Sequence, residues 1–457
     1  MTSSNKAYWL TSGFYSILLR VSILLFNFAT TFLLFRIFSL KEVGVWGLFL
    51  MIVSVIEVAR SGLIQNGLIR FLSISPSDEH SKIISASFSL NIILSVFTIL
   101  LIVSGSQFLC VNVLKAPSLE TLLYYYILTT LLLLPYFQFL YIQQANLDFK
   151  GVFWVVMSRQ GTFFLGVVTI YILGYKPTML NLVHLQTFAA FVGMIAGYFF
   201  ARKFFTFTLE INRAWIKKLF NFGKFGFVTN LSTIISGGMD QAMLSNMIST
   251  SAVALQRAAL QITNVVEVPT NAMADIVFPQ SARRMNQDGQ GGVNYLYQKS
   301  VSVTLSIIVP FLIVVFLFPD FIITIITGGG EYLQSKAILQ VTVLYAVLIP
   351  FDRLGGTIFD STGRQKLNFY LQILNVCTNF LSNLFFITKF GIIGAAYGTL
   401  VTFFISFAIR QTILRRVYNI HLWSVVKSTF LFYGECYHVL KQSLLKGKIP
   451  KNPLEGW

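Results

Sequence analysis

Apolar runs long enough to cross a bilayer recur along the chain from Phe14 to Leu414, with short polar connections between them. They predict spans at roughly 14–35, 43–63, 83–104, 119–142, 152–173, 180–201, 225–247, 252–278, 300–327, 335–358, 366–388 and 391–414, each near the ~20 residues that the hydrocarbon requires. The expected fold class is an all-α polytopic membrane protein with about 12 transmembrane helices. No small-residue cleavage site follows the first run, and Arg20 lies near its middle, so it reads as a retained span rather than a removable signal. Beyond Leu414 the pattern changes. Lys427, Lys441, Lys446, Lys448 and Lys451 stand among Trp423, Phe430, Phe432 and Tyr437, which predicts a basic amphipathic tail over 418–457 lying on anionic lipid. Glu435, His438 and Lys441 interrupt what would be a thirteenth apolar run.

The two halves of the pattern match each other. A shift of about 210 positions lays Val55-Ile56-Glu57-Val58-Ala59 on Val265-Val266-Glu267-Val268-Pro269, with Ile52 on Ile262 and Val43 on Val253, as expected of parallel repeats. The implied organisation is an N-terminal six-helix bundle over 1–201, a cytoplasmic linker over 202–218, a C-terminal six-helix bundle over 219–417 and the tail over 418–457. With that symmetry a substrate site is expected between the halves.

Composition agrees with the apolar pattern: 55% of residues are hydrophobic and 11% charged, against the roughly 25% charged of a soluble domain. The net charge of +17 would suggest nucleic acid in a soluble chain, but here the basic residues collect in alternate loops. One side holds Lys6, Arg70, Lys82, Lys150, Arg202, Lys203, Arg213, Lys217, Lys218, Lys224, Arg283, Arg284, Lys299, Arg364 and Lys366, and the other holds Arg36, Lys41, Lys115, Lys176, Lys336 and Lys389. This bias places both termini in the cytoplasm and excludes a nucleic-acid partner as its explanation. Cys110, Cys377 and Cys436 show neither a disulfide framework nor metal-ligand spacing. There is no GxxxxGK[ST] loop and no HExxH, so neither ATP hydrolysis nor a metalloenzyme site is indicated. Secondary transport without a cofactor, rather than an enzymatic reaction, is the expected class.

Arginines at mid-membrane are costly, about 2.5–3.5 kcal/mol each on insertion scales, and Arg20, Arg60, Arg159, Arg257, Arg353 and Arg410 fall within or at the edges of spans. Pairing with Glu57, Asp240, Glu267, Asp275, Asp352 or Asp360, or snorkelling to the interface, offsets that cost without any function. Arg353 and Arg410 fit this description. Arg20 and Arg257 each head a polar stripe: Arg20, Asn27 and Thr31 lie within about 20° of one line on the first helix. Arg257, Gln261, Asn264, Asn271 and Asp275 lie within about 40° of one line on the eighth, over roughly 27 Å. Thr229, Thr233, Ser236 and Asp240 repeat the pattern on the seventh helix, and Ser54, Glu57, Arg60 and Ser61 form a wider polar face on the second. Such stripes line a water-filled cavity or a polar helix interface. Bidentate guanidinium chemistry suits a lipid diphosphate, so the candidate substrate residues are Arg20, Arg60, Arg257, Asn27, Gln261 and Asn264. The candidates for coupling to Na+ or H+ are Glu57, Asp240, Glu267 and Asp275. Pro269 and the Gly237-Gly238 pair are expected to permit bends.

The chain resembles the polysaccharide-exporting branch of the multidrug, oligosaccharidyl-lipid and polysaccharide transporter superfamily, the Wzx-type flippases. The resemblance rests on Arg36-Ile37-Phe38-Ser39-Leu40-Lys41-Glu42-Val43-Gly44, Gly238-Met239-Asp240-Gln241, Val277-Phe278-Pro279, Asp360-Ser361-Thr362-Gly363-Arg364-Gln365-Lys366-Leu367 and Phe390-Gly391-Ile392-Ile393-Gly394-Ala395-Ala396. Gly44 and Gly363 suit loop or cap positions, and Gly394-Ala395-Ala396 permits close helix contact. The resemblance implies a MATE-like fold, a V-shaped pair of bundles working by alternating access. It also implies a lipid-linked oligosaccharide as cargo, an undecaprenyl-diphosphate-linked O-antigen or capsule repeat unit, carried across a bacterial inner membrane for lipopolysaccharide or capsule synthesis. Association with a glycan polymerase and chain-length machinery would follow. Related lipid II flippases place arginines of helices one, two and eight in a cationic cavity, and Arg20, Arg60 and Arg257 stand on the corresponding helices.

Two alternatives stand beside this reading, one from the same superfamily and one from the enzyme class. A multidrug extrusion antiporter usually carries a cation-binding aspartate in helix one, where this chain has Arg20 and no carboxylate. A membrane glycan polymerase needs a catalytic outer loop, and the outer loops here are short. The lack of two further convincing spans after residue 414 separates the chain from the lipid II branch.

Overall fold

The computed structural model describes residues 3–204 and 212–433. The chain separates into two compact units, Met1–Ala254 and Leu255–Trp457.

The first unit contains α1 (Ser3–Ile37), α2 (Leu40–Ile74), α3 (Ser77–Val113), α4 (Ser118–Ala145), α5 (Phe149–Ile172), α6 (Met179–Ala201) and α7 (Arg213–Met247). α1 packs on α5, α5 and α4 on α6, α3 on α4, and α2 on α7. Local sequence sets the breaks. Glu42 accepts from the backbone amide and hydroxyl of Ser39 at 2.9 and 2.7 Å, capping the start of α2. Asp148 caps α5 by accepting from the Gly151 amide at 3.0 Å, and Asn181 reaches back to Thr178 at the start of α6. α2 is not uniform, because a π-helical turn over Ser61–Gln65 interrupts it immediately after Arg60.

α3 shows why the outside of this unit is lipid-compatible. Ile93, Phe97 and Leu100 are more than half exposed, whereas Ser87, Asn91 and Ser95 on the same helix are 0–1% exposed. Small polar groups inside and large apolar groups outside is the polarity a helix adopts when its solvent is hydrocarbon. Gly44 is also a packing residue rather than a loop or cap. It lies within α2, and a β-carbon there would overlap the carbonyl of Thr250.

In the second unit, α8 (Thr250–Gln287), which begins at the unit boundary, is followed by α9 (Gly289–Leu317), α10 (Gly330–Ser361), α11 (Gln365–Phe390) and α12 (Ile392–Tyr418). Tyr297, Val301 and Leu305 of α9 pack with Phe351, Leu354 and Ile358 of α10 and with Leu414 and Tyr418 of α12 in one core. The α11–α12 turn is tight, with a β-carbon at Gly394 blocked by the Phe386 carbonyl, the close contact its sequence predicts.

Among the described residues, ten helices are long and apolar enough to span a membrane. The sequence predicts two more, α7 and α8, 35 and 38 residues long, and these carry the polar stripes that lower their hydropathy. The ninth span, expected to run without a break over 300–327, instead ends at Leu317, and Pro319 opens a separate short helix, Pro319–Thr327. α8 remains helical through Pro269 and Pro279. In the tail, residues 422–433 form a helix that rises in parallel with α9: Ser302 Oγ donates to the Val425 carbonyl at 2.9 Å and Ser306 Oγ to that of Thr429 at 3.3 Å. Val425 is fully buried there, so this part of the tail docks on protein, while 434–457, with Cys436, lie outside the described residues.

Candidate functional site

Glu57 and Arg60 stand about one turn apart near the C-terminal end of the regular part of α2, where they enter a buried polar cluster in the first unit. Arg60 is 3% exposed; its Nη2 donates to Ser95 Oγ at 2.9 Å, and its guanidinium lies 5.7 Å from the Phe137 ring centre. Glu57 Oε1 accepts from Arg159 Nη2 at 2.7 Å and from the Tyr126 hydroxyl at 3.4 Å. Arg159 also lies over Tyr136, 5.2 Å from its centre. Two guanidinium groups against one carboxylate leave this cluster one positive charge beyond neutrality, among aromatic faces that favour cations.

The remaining candidates are more dispersed. Arg20 and Asn27 are exposed on α1, and Asp240, 8% exposed, sits on α7. The side chains of Thr229, Thr233 and Ser236 lie outside the described residues. On α8, Arg257 is half-buried and Gln261 buried, and Asn264, exposed, donates to Gln261 Oε1 at 3.2 Å. Glu267 and Asp275 are exposed farther along the same helix. Of these residues, the structure brings together Glu57 with Arg60 and Gln261 with Asn264. No group of three His, Cys, Asp or Glu side chains able to hold a metal ion occurs among the described residues.

A second polar cluster, in the second unit, surrounds a cavity of about 240 Å³. Asp275 and Phe278 of α8, Asp352, Arg353, Gly356, Thr357 and Asp360 of α10, Asn368 and Gln372 of α11, and Arg410 of α12 line it. Arg410, 3% exposed, clamps three helices: its Nε donates to Asp352 at 3.0 Å and its Nη1 to Asn368 at 3.0 Å. Asn368 Nδ2 in turn donates to both Asp360 oxygens at 3.0 Å, and Ser406 to Asp352 at 2.9 Å. Arg410 therefore has the pairing role expected of it, through Asp352.

Thr357, Asn368 and Gln372 were not singled out from the sequence. Arg353, Thr357 and Asp360 at i, i+4 and i+7 share a face of α10, and Asn368 and Gln372 at i and i+4 share a face of α11, so extending the search for polar stripes to these two helices would have found both. Arg159 stood out as an intramembrane charge, but nothing local marks its partner.

The helices and their intramembrane polar clusters define a polytopic helical membrane protein with a MATE-like fold. By sequence the chain belongs to the polysaccharide biosynthesis protein family, whose pattern matches residues 33–337. An uncharacterised membrane protein of Methanocaldococcus jannaschii is 26% identical over 255 residues, 55% of this chain and 50% of that protein. A probable low-salt glycan biosynthesis flippase of Haloferax volcanii is 22% identical over 187 residues, 41% of this chain and 39% of that one. The chain thus spans about half or less of the length of these curated relatives. The fold is similar to that of the lipid II flippase MurJ in an inward closed conformation, with a TM-score of 0.73 at 13% identity, over 97% of this chain and 94% of MurJ. It is also similar to an inward-facing multidrug resistance MATE transporter of the MOP superfamily, with a TM-score of 0.71 at 16% identity, over 88% and 98%.

Proposed function

We propose that this protein is a secondary transporter that flips a polyprenyl-diphosphate-linked oligosaccharide across its membrane by alternating access. The observation that carries the reading is the family match over 33–337 in a chain that buries polar clusters inside its spans, among them the arginines Arg60 and Arg410. In its finer form the cargo is an O-antigen or capsule repeat unit on undecaprenyl diphosphate, the membrane is the bacterial inner membrane and both termini are cytoplasmic. The curated relatives come from archaea, so the polyprenyl carrier is the more general statement. Two six-helix bundles over 1–201 and 219–417, joined by 202–218, are the moving parts of this proposal.

Arg20 and Arg257 hold the diphosphate, with Asn27, Gln261 and Asn264 as its polar surroundings, and Asp240, Glu267 and Asp275 are the cation-coupling candidates. Arg60 and Glu57 contribute through the buried cluster they share with Arg159. Replacing Arg20 or Arg257 with Gln should abolish glycan export at normal protein abundance, with Lys restoring it only in part because the bidentate geometry is lost. Full export by both single variants at normal abundance would remove them from the site. A gain of drug tolerance, without glycan export, on expressing the chain would favour a multidrug antiporter instead.

A further inference from the structure

The cavity in the second unit has the composition of a binding site, and its chemistry identifies the ligand class. Some of its polar groups are already satisfied. Asp352 is taken by Arg410 and Ser406, and both Asp360 oxygens by Asn368. Others are not: Arg353 and Gln372 make no side-chain hydrogen bond or close ion pair among the described residues, and both line the cavity. Together they bring up to seven N–H donors to its wall. Phe278 adds an aromatic surface, 47% exposed. Arg353 is exposed and Gln372 half-buried at the cavity wall, so both are free to turn their donors onto a ligand in it.

Charge decides between ligands. Asp275, Asp352 and Asp360 face Arg353 and Arg410, a net charge of −1 that repels a phosphate or a second carboxylate. A bare cation is disfavoured because Asp352 and Asp360 are engaged by Arg410, Ser406 and Asn368, and among the described residues no three acidic groups stand close enough to hold a metal ion. A neutral polyol satisfies these conditions. Guanidinium and amide donors and carboxylate acceptors suit vicinal hydroxyls, while an aromatic ring covers the C–H face of a pyranose. About 240 Å³ is below the roughly 300–1,000 Å³ of pockets for drug-sized ligands, which suits one sugar ring rather than a whole oligosaccharide.

We propose that this cavity is a subsite for one neutral sugar ring of the cargo, with Arg353 and Gln372 donating to its hydroxyls, Thr357, whose own hydroxyl donates to the Arg353 carbonyl at 2.9 Å, and Asp275 accepting from them, and Phe278 covering one face. The inference rests on the flippase reading and extends it, because it separates recognition of the sugar from recognition of the diphosphate. The cavity sits at the ends of α10 and α11 adjoining the Thr362–Arg364 connection, which the basic-loop bias assigns to the cytoplasm, the side from which a lipid-linked sugar is loaded.

The test is binding by the purified full chain of three probes: farnesyl diphosphate, its glucosyl derivative and its glucuronosyl derivative. The glucosyl probe should bind at least about tenfold tighter than the bare diphosphate, the worth of one or two net hydrogen bonds, and tighter than the glucuronosyl probe. Gln372→Ala, Thr357→Ala and Arg353→Gln should each remove most of that gain and leave bare-diphosphate affinity unchanged. Melting temperatures accompany each variant, and a single variant that folds suffices for the comparison. If the bare probe binds but the sugar adds nothing, or its gain survives in every folded variant, the sugar subsite is overturned and the flippase reading stands. If no probe binds, both are overturned.

Discussion

Glu57 and Arg159 are 102 residues apart in the chain and 2.7 Å apart in space. Each is readable as a charge inside a span, but their pairing is a tertiary fact with no local signature. Breaking this half-buried pair leaves Glu57 only the long Tyr126 contact and the neighbouring Arg60. Arg159→Gln should therefore destabilise the protein by about 1–3 kcal/mol, and the double change Glu57→Gln/Arg159→Gln should recover most of the loss. Thermal melts in one detergent check this, and a double variant as unstable as the single would contradict the pairing account. Arg60 behaves differently, because its hydrogen-bond partner is the Ser95 hydroxyl, and Arg60→Gln leaves no hydrogen-bonded acid behind. Gly44 illustrates a second limit on what a sequence shows. The motif marks the residue, but only the Thr250 carbonyl shows that a close backbone approach is the reason. Gly44→Val should lower the melting temperature by several degrees even though valine is at home in membrane helices, since the helix backbones must separate to admit it.

At the scale of elements, apolar length located the spans because hydrocarbon demands long apolar segments, and it reached α7 and α8 despite the polar stripes that lower their hydropathy. It did not reveal the interruption at Phe318, where the apolar run continues across the end of one helix and the start of the next at Pro319. The helix over 422–433 escaped for a related reason. Its backbone carbonyls at Val425 and Thr429 accept from Ser302 and Ser306 of α9, and hydropathy scores such serines as surface when they are packing. Deleting 421–457 should therefore reduce folded protein several-fold in fluorescence-detected size-exclusion chromatography, since Val425 and its neighbours leave an apolar face on α9 uncovered. Full recovery of the truncated chain would return the segment to the interfacial role its basic residues suggest.

At the scale of the whole molecule, charge distribution and cargo chemistry set the expectations. Reporters fused after Lys41, Lys176 or Lys389 should lie outside, and those after Lys82, Arg213 or Arg364 inside, as the basic-loop bias requires. A cytoplasmic reporter at Lys176 would overturn that orientation. The fold class was legible because every span contributes to it, whereas the sugar subsite was not, because its residues come from α8, α10, α11 and α12 and only folding assembles them. The central claim is that the chain moves a lipid-linked sugar, and the most direct measurement is translocation of fluorescent glucosyl-polyprenyl diphosphate in proteoliposomes, scored by the fraction becoming accessible to a membrane-impermeant reagent. Translocation by the native chain, lost in Arg257→Gln at equal reconstitution, is the result this account expects. Translocation no faster than in protein-free liposomes, or undiminished in Arg257→Gln and Arg20→Gln alike, would contradict it.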